Sequence, residues 1–107
     1  MASDFIEMVT DDEFEASIAT GVVLVDFYAD WCGPCRMLTP VLESVAKVVH
    51  GKAKIVKVDT DRAEKAATKF KIIRIPTLIL FKDGQEIERV MGLRDEEALV
   101  TLINKAL

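Results

Sequence analysis

Cysteine is scarce in this sequence: two residues in 107, with a single histidine, tryptophan and tyrosine beside them. So few cysteines exclude a disulfide-stapled scaffold, since one bridge over a short spacing restrains little of the unfolded chain. Long apolar runs are also missing. The longest, Val22-Val23-Leu24-Val25 and Leu78-Ile79-Leu80-Phe81, fall far short of a bilayer span. Basic charge is not in excess: Lys and Arg number 14 against 18 Asp and Glu, for a net charge of -4. Nucleic-acid binding, which needs clustered cations, is therefore not expected. Met1-Ala2-Ser3-Asp4-Phe5 holds no basic segment leading into an apolar one, so no secretory signal is expected. No repeat, low-complexity tract, linker or dinucleotide-binding glycine motif occurs. With 50% apolar and 30% charged residues, one domain over 1–107 with a single packed core is expected. The cysteine usage suits a reducing, cytoplasmic setting.

What is present is a concentrated site. Both cysteines lie in Asp30-Trp31-Cys32-Gly33-Pro34-Cys35-Arg36, directly after the apolar run Val22 to Ala29 and directly before a long amphipathic pattern. A bare C-x-x-C serves metal binding or redox exchange equally well. Structural zinc takes four ligands, and this chain offers two sulfurs and one distant histidine, His50. The preceding strand, the proline between the cysteines and the lack of a second pair favour a reversible dithiol/disulfide centre. His50 reads as an exposed residue at a helix end, with no motif to make it the base of a cysteine protease.

The remaining pattern is regular. Phe5–Val9 suits a short strand. Thr10-Asp11-Asp12-Glu13 has capping-box form and opens a helix through Ile18 and Ala19, which Gly21 ends. Val22–Ala29 reads as a central strand buried on both faces. A helix is expected from Pro34, with Leu38, Leu42, Val45 and Val49 as its buried stripe, a kink at Pro40 and a stop at Gly51. Ala53–Val58 is a further strand, and Asp61-Arg62-Ala63-Glu64 is expected to cap a short helix ending near Phe70. Thr77–Phe81 and Ile87–Met91 flank the hairpin turn Asp83-Gly84. Asp95 caps a last helix carrying Leu99, Leu102, Ile103 and Ala106. The order β-α-β-α-β-α-β-β-α predicts an α/β fold, a mixed sheet with helices on both sides.

A thiolate, not a thiol, attacks a disulfide. A helix beginning at Pro34 puts Cys32 at its free N–H groups and dipole, which lower the pKa of that sulfur. Cys35, one turn further in, is expected to be more buried. Cys32 is then the nucleophile and Cys35 the resolving sulfur, with Gly33 keeping the turn tight and Pro34 stiffening it. Asp26 stands inside the central strand, where burial raises a carboxylate pKa. It is the expected proton acceptor for Cys35, with a structural carboxylate as the plainer alternative. Trp31, beside the nucleophile, suits a contact surface or partial burial equally.

The run Val25-Asp26-Phe27-Tyr28-Ala29-Asp30-Trp31-Cys32-Gly33-Pro34-Cys35 resembles the active-site segment of thioredoxins. Val58-Asp59, Ile75-Pro76-Thr77, Asp83-Gly84 and Gly92 follow at thioredoxin spacing, so the resemblance covers essentially the whole chain. Gly-Pro between the cysteines is similar to thioredoxins, where glutaredoxins usually carry Pro-Tyr and disulfide isomerases Gly-His. The resemblance implies the thioredoxin fold, a central five-stranded mixed sheet flanked by four helices. It implies a monomeric general protein-disulfide reductase, acting on disulfide-containing proteins and recharged by thioredoxin reductase. The chain itself then carries no cofactor; FAD and NADPH belong to the reductase. Lys57 is implied as the charged neighbour of Asp26, and Pro76 as a cis proline against the cysteines. Ile75 is implied to offer its backbone to an extended substrate, with Met91, Gly92 and Leu93 completing an apolar patch. Two positions depart from the family pattern: Tyr28 replaces a common tryptophan, and Arg74 replaces a common small residue beside the groove. Arg74 is expected to favour acidic segments. Competing readings are a binding module or holdase using the same patch without turnover, and an oxidant or isomerase on the same fold.

Overall fold

The computed structural model describes residues 4–107; the first three residues of the segment screened for a leader lie outside the described residues. The elements run β1 (Ile6–Met8), α1 (Asp11–Ile18), β2 (Val22–Tyr28), α2 (Gly33–Val49) and β3 (Lys54–Asp59). They continue with α3 (Glu64–Lys69), β4 (Thr77–Lys82), β5 (Gln85–Met91) and α4 (Glu96–Asn104). The five strands form one sheet in the order β1-β3-β2-β4-β5. β3 is parallel to β1 and β2, while β4 is antiparallel to both β2 and β5, so the sheet is mixed as expected. Among the described residues, no helix is long and apolar enough to cross a membrane.

Every residue of β2 is buried, because both faces of the sheet are covered. Strand periodicity sends Leu24 to one face, where Ile55 and Leu80 join Leu38, Leu42 and Val45 of α2 and Leu99 and Ile103 of α4. Val23, Val25 and Phe27 point to the other face, against Phe14 and Ile18 of α1 and Ala66 of α3. Each such buried aliphatic side chain contributes about 2 kcal/mol relative to exposure. The hairpin follows from Asp83 and Gly84, whose φ values of 50° and 87° suit the tight turn that matches strand twist. Asp83 also ties the turn to the start of β2, its Oδ1 accepting from the Gly21 amide at 2.8 Å.

Several boundaries differ from the sequence expectation. α2 begins at Gly33, with Cys32 as its cap and Pro34 in its first turn, and it continues through Pro40 to Val49. β5 begins at Gln85; a register irregularity opposite Leu80/Phe81 leaves Ile87 out of the pairing. The larger correction concerns α3. Its cap residue is Ala63, with no capping side chain of its own. Asp59 takes the Asp61 amide at 2.9 Å instead. The first-turn amides of α3 go to Asp11 of α1, which accepts from Lys65 at 3.1 Å and Ala66 at 2.9 Å. A capping rule based on neighbouring residues cannot see a carboxylate delivered by another helix. Asp11→Ala is expected to cost about 1 kcal/mol in urea unfolding, and Asp61→Ala clearly less. A larger loss for Asp61→Ala would return the cap to the local residue.

Candidate active site

The chain leaves β2 at Tyr28 and enters α2 through Cys32, whose φ of -88° and ψ of 114° are those of a capping residue. Its Sγ accepts a hydrogen bond from the Cys35 amide at 3.2 Å. Cys32 and Cys35 are joined as a disulfide, their Cα atoms 5.2 Å apart. Cys35 is the more buried, at 2% exposure, as expected. Cys32 is itself only 5% exposed in this oxidised form. Gly33 lies at the first position of α2. A side chain there would meet open space, so the turn does not need glycine for room.

Tyr28 and the two cysteines form a small cluster against which Ile75 packs. The Ile75–Pro76 peptide is cis, in agreement with the resemblance, and Pro76 is buried. The Ile75 carbonyl oxygen lies 3.9 Å from Cys32 Sγ. No hydrogen bond to the Ile75 amide is made by a described residue. Gly92, at φ 87°, donates its amide to the Pro76 carbonyl at 2.8 Å, which holds the β5–α4 loop beside the proline. Met91 lies opposite Thr77 in the sheet, and Met91 and Leu93 are both partly exposed there. Arg74 is exposed, its carbonyl taken by the Thr77 hydroxyl at 2.6 Å. Trp31 stands apart from the sulfur cluster. It is 69% exposed, and its indole N–H donates to Asp61 at 3.0 Å.

Asp26 and Tyr28 lie on the α2 face of β2, and Lys57 on β3 is the register partner of Asp26. Asp26 is fully buried, and neither carboxylate oxygen has a hydrogen-bond partner among the described residues. Burial therefore dominates, pushing its pKa up to about 7 against an opposing pull from Lys57. The two are neighbours but not an ion pair within 4.0 Å among the described residues. The Lys57 ammonium instead donates to Thr39 Oγ1 at 3.2 Å and lies over the Tyr28 ring, 4.5 Å from its centroid. Burial, with Asp59 adding to it, pushes the Tyr28 phenol up to about 12.

A cleft of about 310 Å³ runs between Tyr28, Asp30, Cys35, Arg36, Thr39 and Lys57. It joins the inner sulfur to the Lys57 ammonium, with Asp26 behind it in the sheet. Thr39 was not legible as a site residue, although it stands one turn after Cys35 on the same helical face and donates to the Cys35 carbonyl at 3.3 Å. Asp61 was legible only as a helix cap, and Arg94 carried no local signal. Arg94 folds back over Gly92 and donates to the Met91 and Leu93 carbonyls at 2.9 and 2.8 Å. His50 ends α2 and meets Phe5 edge-on at 5.0 Å. Among the described residues, no group of three or more His, Cys, Asp or Glu is placed to hold a metal.

Chemically, the arrangement juxtaposes a reversible disulfide, a helix start aimed at one sulfur, an unpaired backbone edge beside it and a buried proton-binding carboxyl. Comparison with known proteins agrees. The Thioredoxin family model matches residues 5–105. A thioredoxin of Chlamydia muridarum is 53% identical over 100 residues, covering 94% of this chain and 97% of that one. A Staphylococcus aureus thioredoxin is 47% identical over 102 residues, covering 95% and 98%. The solved structure of a mutant thioredoxin from Halobacterium salinarum NRC-1 superposes with a TM-score of 0.87 at 42% identity, covering 99% of this chain and 95% of that one. With its cysteine pair at disulfide distance and the five-stranded sheet behind it, this chain belongs to the thioredoxin family.

Proposed function

We propose that the chain works as a general protein-disulfide reductase in which Cys32 attacks and Cys35 resolves. The observation that carries this is the Cys35 amide on Cys32 Sγ at the start of α2. In the dithiol form that donor and the helix dipole favour an anion on Cys32. The Cys32 thiolate attacks one sulfur of a substrate disulfide, forming a mixed disulfide and releasing the other substrate sulfur as a thiolate. Cys35 then gives up its proton and attacks Cys32 Sγ, which re-forms the Cys32–Cys35 disulfide and frees the second substrate sulfur. Two electrons pass to the substrate. As in the thioredoxin family generally, a reductase returns them; its flavin and NADPH are the partner's own.

Asp26 is the acceptor for the Cys35 proton, and its raised pKa matches it to that task near neutral pH. Lys57 tunes the carboxyl through its charge, and Gly33 and Pro34 tune the redox balance of the turn. The open space at Gly33 lets a substrate sulfur approach without meeting a side chain. Ile75 pairs its free amide with an extended substrate segment, the mode that makes main-chain recognition tolerant of sequence. Trp31, Arg74, Pro76, Met91, Gly92 and Leu93 form the surrounding contact surface. The working unit is one monomeric domain, and the reducing cytoplasm is the setting that suits a dithiol donor.

Two experiments test the assignment. With insulin as substrate, Cys32→Ser is expected to reduce no faster than uncatalysed exchange. Cys35→Ser is expected to accumulate a mixed disulfide at Cys32, visible as a mass increase lost on adding dithiothreitol. Accumulation at position 35 in Cys32→Ser, with none at 32, would reverse the roles. The second experiment concerns Asp26, whose folded pKa of about 7 lies above its ordinary 3.8. The folded state then holds the extra proton between those values, so stability falls as pH rises from about 4 to about 7 and levels off above. The shift corresponds to up to about 4 kcal/mol. Asp26→Ala is expected to be more stable than the parent in urea at pH 8. That advantage should shrink as pH falls toward 4. The variant should resolve its mixed disulfide roughly ten- to a hundredfold more slowly at neutral pH. Clear destabilisation at pH 8 would refute the buried-acid account.

A further inference from the structure

The net charge of -4 predicts that this chain repels acidic substrates and attracts basic ones. The surface around Ile75 says the opposite. Of the five arginines, Arg62 and Arg89 pair with Asp59 and Glu86. Arg36, Arg74 and Arg94 have no carboxylate partner within 4.0 Å among the described residues, and all three border the sulfur site. Arg36 faces the cleft and is held by the Asp30 carbonyl at 2.8 Å. The other two bracket the pairing edge. Arg74 immediately precedes Ile75 and is exposed. Arg94 is pinned by the Met91 and Leu93 carbonyls through Nη1 alone, against the Gly92 that bonds Pro76. Its remaining N–H groups are left to meet an approaching molecule. Asp30 and Asp61 flank Trp31, with Asp61 engaged by the indole; Asp95, next to Arg94, is engaged by the Ala98 amide, and Glu96 and Glu97 lie exposed in the first turn of α4 without pairing to Arg94.

We propose that Arg74 and Arg94 form a cationic rim that selects disulfides flanked by acidic residues, against the net charge of the chain. The inference rests on the reductase reading, since it concerns which segments pair with Ile75. A segment extended along that edge alternates its side chains, so carboxylates on either side of its cysteine come within reach of the two guanidinium groups. Arg94 is the better-ordered partner, because its guanidinium is already held in place and loses less freedom on pairing.

The test uses the reduced chain and disulfide-linked dimers of one short peptide whose cysteine is flanked by Glu, Gln or Lys. At low salt, kcat/KM for the Glu peptide is expected to exceed that for the Lys peptide roughly three- to tenfold. The ratio should approach parity in about 0.5 M salt. In Arg74→Gln/Arg94→Gln the ratio should collapse or invert; glutamine keeps an N–H donor for the loop carbonyls while removing the charge. Lys47→Gln/Lys52→Gln, which removes two exposed cations at the far end of α2, should keep the ratio. Comparing ratios between variants cancels the effect of flanking charge on each peptide's own reactivity. Equal rates for the three peptides, or collapse in the lysine variant as well, would overturn the rim while leaving the reductase intact. Failure to reduce any of the peptides would instead overturn the reading on which it rests.

Discussion

The hydrogen bond from the Cys35 amide to Cys32 Sγ depends on β2 delivering the chain to the end of the sheet's central strand, just before α2 begins. That delivery is rigid. β2 is the central strand, paired on both sides and covered on both faces, so its end cannot shift without opening the core. The sulfur atoms inherit this rigidity. Ile75 comes to the same place by an independent route, at the head of β4, the antiparallel neighbour of β2. The cysteine turn and Ile75 are thus fixed by adjacent strands of one sheet, which preorganises the surface around the sulfurs.

Asp26 shows what that central position costs. The same burial that holds the turn in place strips a carboxyl of water and of hydrogen-bond partners. Lys57 offsets part of this through its charge but spends its own hydrogen bond on Thr39 and lies against the Tyr28 ring. A tighter ion pair would lower the Asp26 pKa and leave a weaker base near neutral pH. A looser one would leave the carboxyl protonated throughout. The observed spacing leaves the carboxyl pKa up at about 7, so the charge that forms above that value is carried at the expense of stability.

Sequence reading recovered the features that local chemistry determines. The apolar run of β2, the Asp83-Gly84 turn, the Asp95 cap and the α2 stripe each follow from neighbours within a few residues. The cysteine pair was legible for the same reason, and the fold order followed from the alternation of strand and helix patterns. Interactions that span the molecule were not legible. Asp11 caps α3 across about half the chain, Asp61 reaches Trp31, and Arg94 closes over Gly92. The open space around Gly33 was not legible either, because it depends on what the folded chain leaves uncovered. How little of Cys32 is exposed was not legible, because sequence places a residue near a helix start without revealing how Ile75 packs beside it.

Generality and selection act on different parts of this surface, and their magnitudes decide how they combine. Main-chain pairing at Ile75 is available to any extended segment and carries no charge preference. Exposed ion pairs are worth up to about 1 kcal/mol each, too little to exclude a neutral segment that pairs well. A cationic rim of two arginines can therefore rank substrates without restricting them. The rank is expressed mainly as the rate of encounter, since charges at a wet rim act over distance before contact. When Cys35 resolves the mixed disulfide faster than the released thiolate returns, a several-fold advantage in encounter becomes an equal advantage in electron delivery. The acidic surface elsewhere attracts basic partners, so the two arginines rank substrates against the field of the whole chain and only close to the sulfur.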